Sequence, residues 1–213
     1  MKLFTLFAFS ILFFTYAQAQ NMNIYQKNIA GIQLDMPMNK AILLAYEAIG
    51  YEKPASFNAD APLLDAAKLA QFLEVKHTGN NEYTQFQDVN DRAHYTIRKG
   101  DVTIIIKAMK TGKGKDLAVH HVTYKMQDNG NAETARNMGQ KALEKFGKPS
   151  YGQEMDGRHY YGWCQEVQDG SSGCKVNTAF IRISSQEIIM EDLGLAKKYM
   201  EMQNKNNAQD AKF

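Results

Sequence analysis

Histidine is the residue type in this sequence best suited to metal binding or acid–base chemistry, and five are present. His120 and His121 are adjacent within Leu117–Met126, a segment with the pattern of a β-strand. Neighbouring strand residues point to opposite faces, so this pattern predicts that the pair does not bind one ion together. The same alternation predicts that His120 is a hydrogen-bonded histidine at the edge of the core, and that His94 faces His121 only if the strand register allows it. No metal site and no cofactor are predicted.

Serine and cysteine, the commonest nucleophiles, occur in unfavourable contexts. Gly170-Ser171-Ser172-Gly173 lacks the G-x-S-x-G spacing of a nucleophile elbow. Cys164 could pair with His159 only as a free thiolate. The sequence therefore favours a non-catalytic protein over an enzyme.

The two cysteines are Cys164 and Cys174, and the segment between them contains Asp169-Gly170-Ser171-Ser172-Gly173, which is typical of a turn. Redox motifs place two residues between their cysteines, and zinc sites need four closely spaced ligands, whereas nine residues intervene here. We predict a disulfide bond that closes this loop and stabilises the fold by about 2–3 kcal/mol.

Four lysines, Lys107, Lys110, Lys113 and Lys115, are concentrated around Thr111-Gly112. The phosphate-loop spacing G-x-x-x-x-G-K-[ST] is absent, so a hairpin tip is the simpler interpretation. Lys113 and Lys115 are candidate contacts for an acidic partner.

An aromatic cluster, Tyr151, Tyr160, Tyr161 and Trp163, is the stronger binding candidate. Alternation places Tyr161 and Trp163 on one strand face and Tyr160 on the other. Tyr and Trp supply large contact areas at low entropic cost and are frequent at interaction hot spots. The alternative is that one of the two faces belongs to the core.

The charge balance excludes a general electrostatic attraction to nucleic acid or anionic lipid, since 25 basic residues face 23 acidic ones. A hydrophobic content of 44% and a charged content of 23% are those of a globular protein and exclude a disordered or fibrous chain. No nucleic-acid partner is predicted.

Residues 1–19 have the pattern of a secretory signal peptide. Lys2 precedes the apolar stretch Leu3–Tyr16, and Ala17-Gln18-Ala19 supplies a small-x-small cleavage site. The apolar run is shorter than the roughly 20 residues that span a bilayer. We therefore expect a periplasmic or secreted protein that starts at Gln20 and has no transmembrane segment in its mature chain.

Two amphipathic helices are predicted over Met38–Ile49 and Ala135–Phe146, where apolar residues recur at spacings of three and four. Asp35 is the expected N-cap of the first helix. Gly50 and Gly147 follow the two apolar stripes, where a left-handed cap is favoured.

Three antiparallel strands are predicted after each helix: Ala93–Lys99, Val102–Lys110 and Leu117–Met126, then His159–Cys164, Thr178–Ser184 and Glu187–Asp192. Shorter helices are predicted over Leu63–Leu73 and Leu195–Gln203, with an irregular polar segment at Thr78–Asp91.

The sequence therefore predicts an α+β fold with helices packed on antiparallel β-meanders. The first helix-plus-sheet half spans residues 20–128 and the second spans residues 129–203, followed by a polar tail at 204–213. The similar ends of the two main helices are compatible with two tandem helix–three-strand repeats.

The stretch Ile29-Ala30-Gly31-Ile32-Gln33-Leu34-Asp35-Met36-Pro37 leads from an apolar segment into a turn and a helix. It resembles the opening of the BamE/SmpA-type repeat of bacterial envelope proteins, whose fold is shared with secreted β-lactamase-inhibitory proteins. The second half, through Lys145-Phe146-Gly147-Lys148-Pro149 to Trp163-Cys164, is similar to uncharacterised secreted bacterial proteins of this type. The resemblance implies a non-catalytic module that binds another protein or an envelope component, and it carries over no site residue.

The resulting hypothesis is an exported binding protein of the inhibitor, immunity or envelope-maintenance type, acting through protein–protein contact. One alternative is an extracytoplasmic hydrolase that acts on envelope material with polar residues from distant strands. Another is a carrier of a small apolar ligand, which requires a cavity between helix and sheet.

Overall fold

The computed structural model describes residues 21–52, 65–76, 81–89, 91–111, 116–127, 132–155, 158–168 and 173–210. Within these ranges, helices and antiparallel strands form the predicted α+β fold. The helices are α1 (Met38–Ala48), α2 (Ala66–Phe72), α3 (Ala132–Phe146) and α4 (Leu193–Asp210). The strands are β1 (Tyr83–Val89), β2 (Arg92–Lys99), β3 (Val102–Lys110), β4 (Leu117–Met126), β5 (Tyr151–Met155), β6 (Arg158–Cys164), β7 (Ala179–Ile183) and β8 (Glu187–Asp192).

The eight strands of the described residues join one sheet in the order β1-β2-β3-β4-β8-β7-β6-β5. Each half of the chain forms a meander, and the two meanders meet where β4 pairs with β8, for example at Val122 and Met190. The prediction of three strands in each half is wrong, because each meander has four strands within the described part of the chain. The missed strands, β1 and β5, lie at the two outer edges, where exposed polar residues hide the strand pattern.

One side of the sheet, which we call the helix face, packs against α1 and α3. Trp163 of β6 is fully buried there, and its ring meets that of Phe146 of α3 edge to face, with centroids 5.4 Å apart. The Trp163 indole N–H also donates a hydrogen bond to the Gly147 carbonyl at 3.0 Å. The core is continuous across both meanders and includes Ile42, Tyr95, Ile97, Ile104, Ile106, Met138, Ile181 and Met190.

Close packing between α3 and β6 depends on Gly139. A Cβ atom at this position would lie 1.8 Å from Cδ2 of His159, which is itself buried on the helix face. The absence of a side chain at Gly139 therefore lets the helix approach the strand.

Helix α4 crosses to the opposite side of the sheet and packs on the ends of β3 and β4. Leu195, Ala196 and Tyr199 form a small buried cluster with Met109 and Ala118. The helix continues to Asp210, well past the predicted end at Gln203, and so includes most of the segment expected to be a polar tail.

Two carboxylates, those of Asp192 and Asp35, form hydrogen bonds with the first two turns of α4. Asp192 accepts a hydrogen bond from the backbone N–H of Leu195 at 2.9 Å, which caps the helix, and it also accepts from the Tyr25 hydroxyl. The Tyr199 hydroxyl donates to Asp35. The prediction that Asp35 caps α1 is therefore wrong: the N-cap position belongs to Pro37, and Asp35 has a left-handed backbone with φ of 63°.

Other local predictions are confirmed. Gly50 and Gly147 follow α1 and α3 with φ of 81° and 77°, the left-handed conformation expected at these caps. Cys164 and Cys174 form the predicted disulfide bond. The predicted signal peptide at residues 1–19 lies outside the described residues, as do Lys113 and Lys115.

Candidate functional site

The side of the sheet opposite α1 and α3, which we call the open face, presents two rows of side chains that cross the strands in register. The central row runs through Gln85, Thr96, Ile105, Thr123, Ile189, Arg182, Gly162 and Tyr151. The second row, which we call the histidine row, consists of Gln87, His94, Lys107, His121 and Glu191. Residues that are far apart in sequence therefore meet on one surface.

A β-bulge in β4 brings a third histidine to this region. Lys107 pairs with His121, whereas the next residue, Ala108, pairs with Val119. His120 is consequently the extra residue, and it lines a cleft of the open face together with His94 and Lys107. The prediction that His120 and His121 serve opposite faces is wrong, because it assumed a strand without a bulge.

His121 is held by a hydrogen bond at each ring nitrogen. A carboxylate can only accept, so Nδ1–H donates to Glu191 Oε1 at 2.9 Å. In the neutral imidazole, Nε2 then accepts from the Thr123 hydroxyl at 2.8 Å. This hydrogen bond from His121 is the largest cause of the lowered pKa of Glu191, which is therefore ionised at neutral pH.

A cleft of about 760 Å³ opens beside this chain of hydrogen bonds, between the sheet and α4. Arg92, His94, Lys107, His120 and Glu191 line it on the sheet side, while Ala196 and Met200 contribute the α4 wall. The Arg92 guanidinium contacts the sulfur of Met200 at 3.2 Å. The cleft therefore combines cationic and imidazole groups with an apolar wall.

Burial lowers the pKa of His120 to about 4; the charges of Lys107 and Arg92, and that of His121 when its ring is protonated, act in the same direction, while Glu191 partly opposes them. Nδ1 of His120 is buried and has no hydrogen-bond partner among the described residues, so the hydrogen bond expected for this ring is absent at Nδ1. His94 also has a lowered pKa, first because of burial and then because of Lys107 and His121. His120 and His94 are therefore neutral at pH 7.

Positive charge predominates on the open face. Among strand residues whose side chains are described, this face carries five basic side chains and two carboxylates. The basic residues are Arg92, Arg98, Lys107, Lys125 and Arg182, and the acidic ones are Glu187 and Glu191. The whole chain has a net charge of only +2, so the excess is a property of this surface.

The structure divides the predicted aromatic cluster between the two faces. Tyr161 and Trp163 lie on the helix face, and the full burial of Trp163 excludes it from contact with a partner in this conformation. Tyr160 is 37% exposed on the open face, and the ring of Tyr151 lies on the same side over Gly162. Tyr151 and Tyr160 thus extend the open face to its outer edge at β5 and β6.

A second cavity lies on the other side of the sheet, between the helices. This groove of about 420 Å³ is lined mainly by apolar residues, including Tyr124, Met126, Met138, Phe146 and Ile188, with Lys141 and Lys145 among its polar residues. Lys145 Nζ donates to Asn28 Oδ1 at 3.0 Å, and burial lowers the Lys145 pKa.

Within the described part of the chain, no three His, Cys, Asp or Glu side chains are grouped so that they could hold a metal ion. At the histidine row, both ring nitrogens of His121 are already hydrogen-bonded, and Lys107 stands between His94 and His121. The arrangement is therefore suited to hydrogen bonding and charge recognition.

Sequence reasoning missed the histidine row because it depends on the register of five strands. Strand alternation alone placed His121 and Thr123 on one face, which the structure confirms. The pairing of His121 with Glu191, 70 residues away, follows only from the junction of β4 with β8.

Among the described helices, none combines the length and apolar character needed to cross a membrane. Comparisons of the chain with protein-family models, curated proteins and solved structures find no significant match.

Proposed function

We propose that this chain is an exported binding protein whose open face contacts an acidic surface of another protein. The observation that carries the proposal is the concentration of basic side chains on a sheet face that α1 and α3 leave uncovered. Charges of one sign on a binding surface attract a partner of the opposite sign and help to set its orientation.

Aromatic and apolar side chains at the edges of the same face support the proposal. Tyr160 and Met155 at the β5–β6 edge are 37% and 52% exposed, and Val89 at the β1 edge is 63% exposed. Interfaces commonly combine such groups with a polar surround, since desolvated aromatic residues contribute much of the binding free energy. The contact area that we propose therefore extends across both meanders.

Export is the second part of the proposal. It rests on the signal-like residues 1–19 and is supported by the disulfide between Cys164 and Cys174, since such bonds persist mainly in oxidising compartments. Mass spectrometry of the protein recovered from the producing cells should give a mature chain that begins at Gln20. An uncleaved cytoplasmic product would contradict export.

The binding proposal is tested by charge reversal away from the cleft. The variant Lys125→Glu/Arg182→Glu changes two exposed positions of the open face, and Lys40→Glu/Lys141→Glu makes the same change at two exposed positions on the helices. Immobilised wild-type protein should retain a specific acidic protein from envelope and culture fractions, and the helix variant should retain it equally.

The open-face variant should lose most of this retention, and moderate salt should release the partner from the wild type. Equal retention by both variants would place the contact elsewhere, and capture of no specific protein would count against the proposal as a whole.

A hydrolase is the second candidate, because Thr123, His121 and Glu191 are linked in the hydroxyl–imidazole–carboxylate order of hydrolytic triads. Against it, Thr123 is only 4% exposed, so its hydroxyl is poorly accessible to a substrate. Turnover of activated esters by the wild type, abolished by both Thr123→Val and Glu191→Gln, would favour the enzyme. The binding proposal predicts no turnover above the buffer rate.

The groove between α1, α3 and the sheet provides the cavity that an apolar-ligand carrier would require. A fluorescent fatty-acid probe displaced by unlabelled fatty acid, with loss of binding in Met138→Asp, would favour this function. The primary proposal predicts that the probe does not bind saturably.

A further inference from the structure

The cleft beneath α4 contains more positively charged hydrogen-bond donors than negatively charged acceptors. Arg92 contacts a thioether sulfur, which is a weak acceptor, and Lys107 is exposed. Glu191, the carboxylate in the cleft, already accepts from His121. Arg92, Lys107 and Glu191 together leave one positive charge, which a monoanion would balance.

His120 adds a directional group to this charge. Its Nδ1 is enclosed and lacks a partner among the described residues, while the ring lines the cleft. An enclosed N–H without an acceptor is costly, so the neutral ring is better accommodated with its proton on Nε2. The rest of the ring, including Nε2–H, is then the part that can meet a ligand.

We infer that this cleft binds a carboxylate group, with Nε2–H of His120 donating a hydrogen bond to it and Lys107 and Arg92 supplying the balancing charge. The group belongs either to a free carboxylic acid or to an acidic side chain of the protein partner, and in the second case the inference rests on the proposed function. Ala196 and Met200 provide an apolar wall for the carbon chain that bears the carboxylate.

Bound anion should also change the protonation of the cleft. Arg92, His94, Lys107, His121 and Glu191 are the charged and titratable groups around His120. A carboxylate beside the ring adds negative charge and should raise the pKa of His120.

The test is a histidine-ring nitrogen NMR titration of the full mature protein with sodium acetate at pH 7 and constant ionic strength, using sodium chloride as the reference salt. Acetate should shift the His120 ring signals saturably, and chloride should not. A second titration with a short glutamate-rich peptide distinguishes a partner side chain from a free acid, because tighter binding of the peptide indicates the former.

Variants inside and outside the cleft test whether acetate binds at this site. Lys107→Gln and Arg92→Gln should each weaken acetate binding about tenfold, as expected when a charge-assisted hydrogen bond is lost. Lys125→Gln removes the same charge from the open face outside the cleft and should change the binding less than twofold. Because Lys107 is exposed, its variant should fold normally, and circular dichroism checks this.

The inference is overturned if acetate and chloride shift the His120 signals equally, or if Lys125→Gln weakens binding as much as Lys107→Gln. Acetate binding without capture of any protein would leave this inference standing and defeat the proposed function. Protein capture that is lost in Lys125→Glu/Arg182→Glu, with no acetate effect at His120, would do the reverse.

Discussion

On the helix face, Ile97 of β2 and Ile104 and Ile106 of β3 are fully buried in the core that α1 shares, whereas Ile105 and Lys107 of β3 are accessible on the open face. The two faces are built from the same strands, yet α1 and α3 pack on one of them, whereas the other, apart from the end that α4 covers, carries charges, imidazoles and edge aromatics. This difference indicates that helix-face substitutions should change the free energy of unfolding, whereas substitutions at exposed positions of the open face should change mainly binding.

The largest effect is expected at Trp163, which tests the comparison within one strand. Trp163→Ala should lower the free energy of unfolding by about 3–5 kcal/mol, because it removes a buried ring packed on Phe146. Tyr160→Ala, the neighbouring residue on the open face, should lower it by less than about 1 kcal/mol. Urea denaturation of both variants measures the difference, and similar losses would refute the division between faces.

The disulfide bond between Cys164 and Cys174 should contribute to the free energy of unfolding in addition to the packing on the helix face. Cys164→Ala/Cys174→Ala should destabilise the protein by about 3 kcal/mol, since the open chain gains conformational freedom when unfolded. The wild type in reducing agent should give the same denaturation midpoint as the variant. A variant as stable as the oxidised wild type would show that the bond contributes nothing to stability.

Protonation of His120, which lines the cleft of the open face, should make the free energy of unfolding depend on pH. The pKa of His120 is about 4 in the fold and about 6.5 when exposed, so the unfolded chain binds the extra proton between these values. The contribution of the neutral His120 ring to the free energy of unfolding is fully present above pH 6.5 and is lost as the pH falls towards 4. This free energy should decrease by about 2 kcal/mol between pH 7 and pH 5. His120→Gln should remove this part of the slope, and an unchanged slope would contradict the assignment.

A smaller effect is expected at the buried centre of the open face. Thr123→Val keeps the side-chain shape but removes the hydroxyl that donates to His121, and should cost about 1 kcal/mol. Thr96→Val is a less buried control on the same row and should cost less. A larger loss at Thr96 would mean that burial does not control the strength of these contacts.

Sequence reasoning located the central strands well because their alternation is strong and turns bound them. The predicted limits of β3, β4 and β8 agree with the structure residue for residue. The edge strands β1 and β5 were missed because edge strands bury little apolar surface, and their pattern is dominated by polar residues.

The candidate site was less predictable than the fold. The bulge at His120 leaves no glycine or proline signal in the sequence around it, and the histidine row exists only once five strands are in register. The aromatic residues were correctly assigned to opposite sides of β6, but which side is buried depends on where α3 packs.

The strand order also has a consequence for how the chain is made. One edge of β4 pairs with β8, which is synthesised late. Glu191, the β8 partner of His121, is added to the chain 70 residues after it. Until then, a nascent molecule exposes an unpaired strand in the middle of its future sheet, where another copy could dock. Truncation before Glu187 should therefore yield aggregates instead of a smaller folded protein.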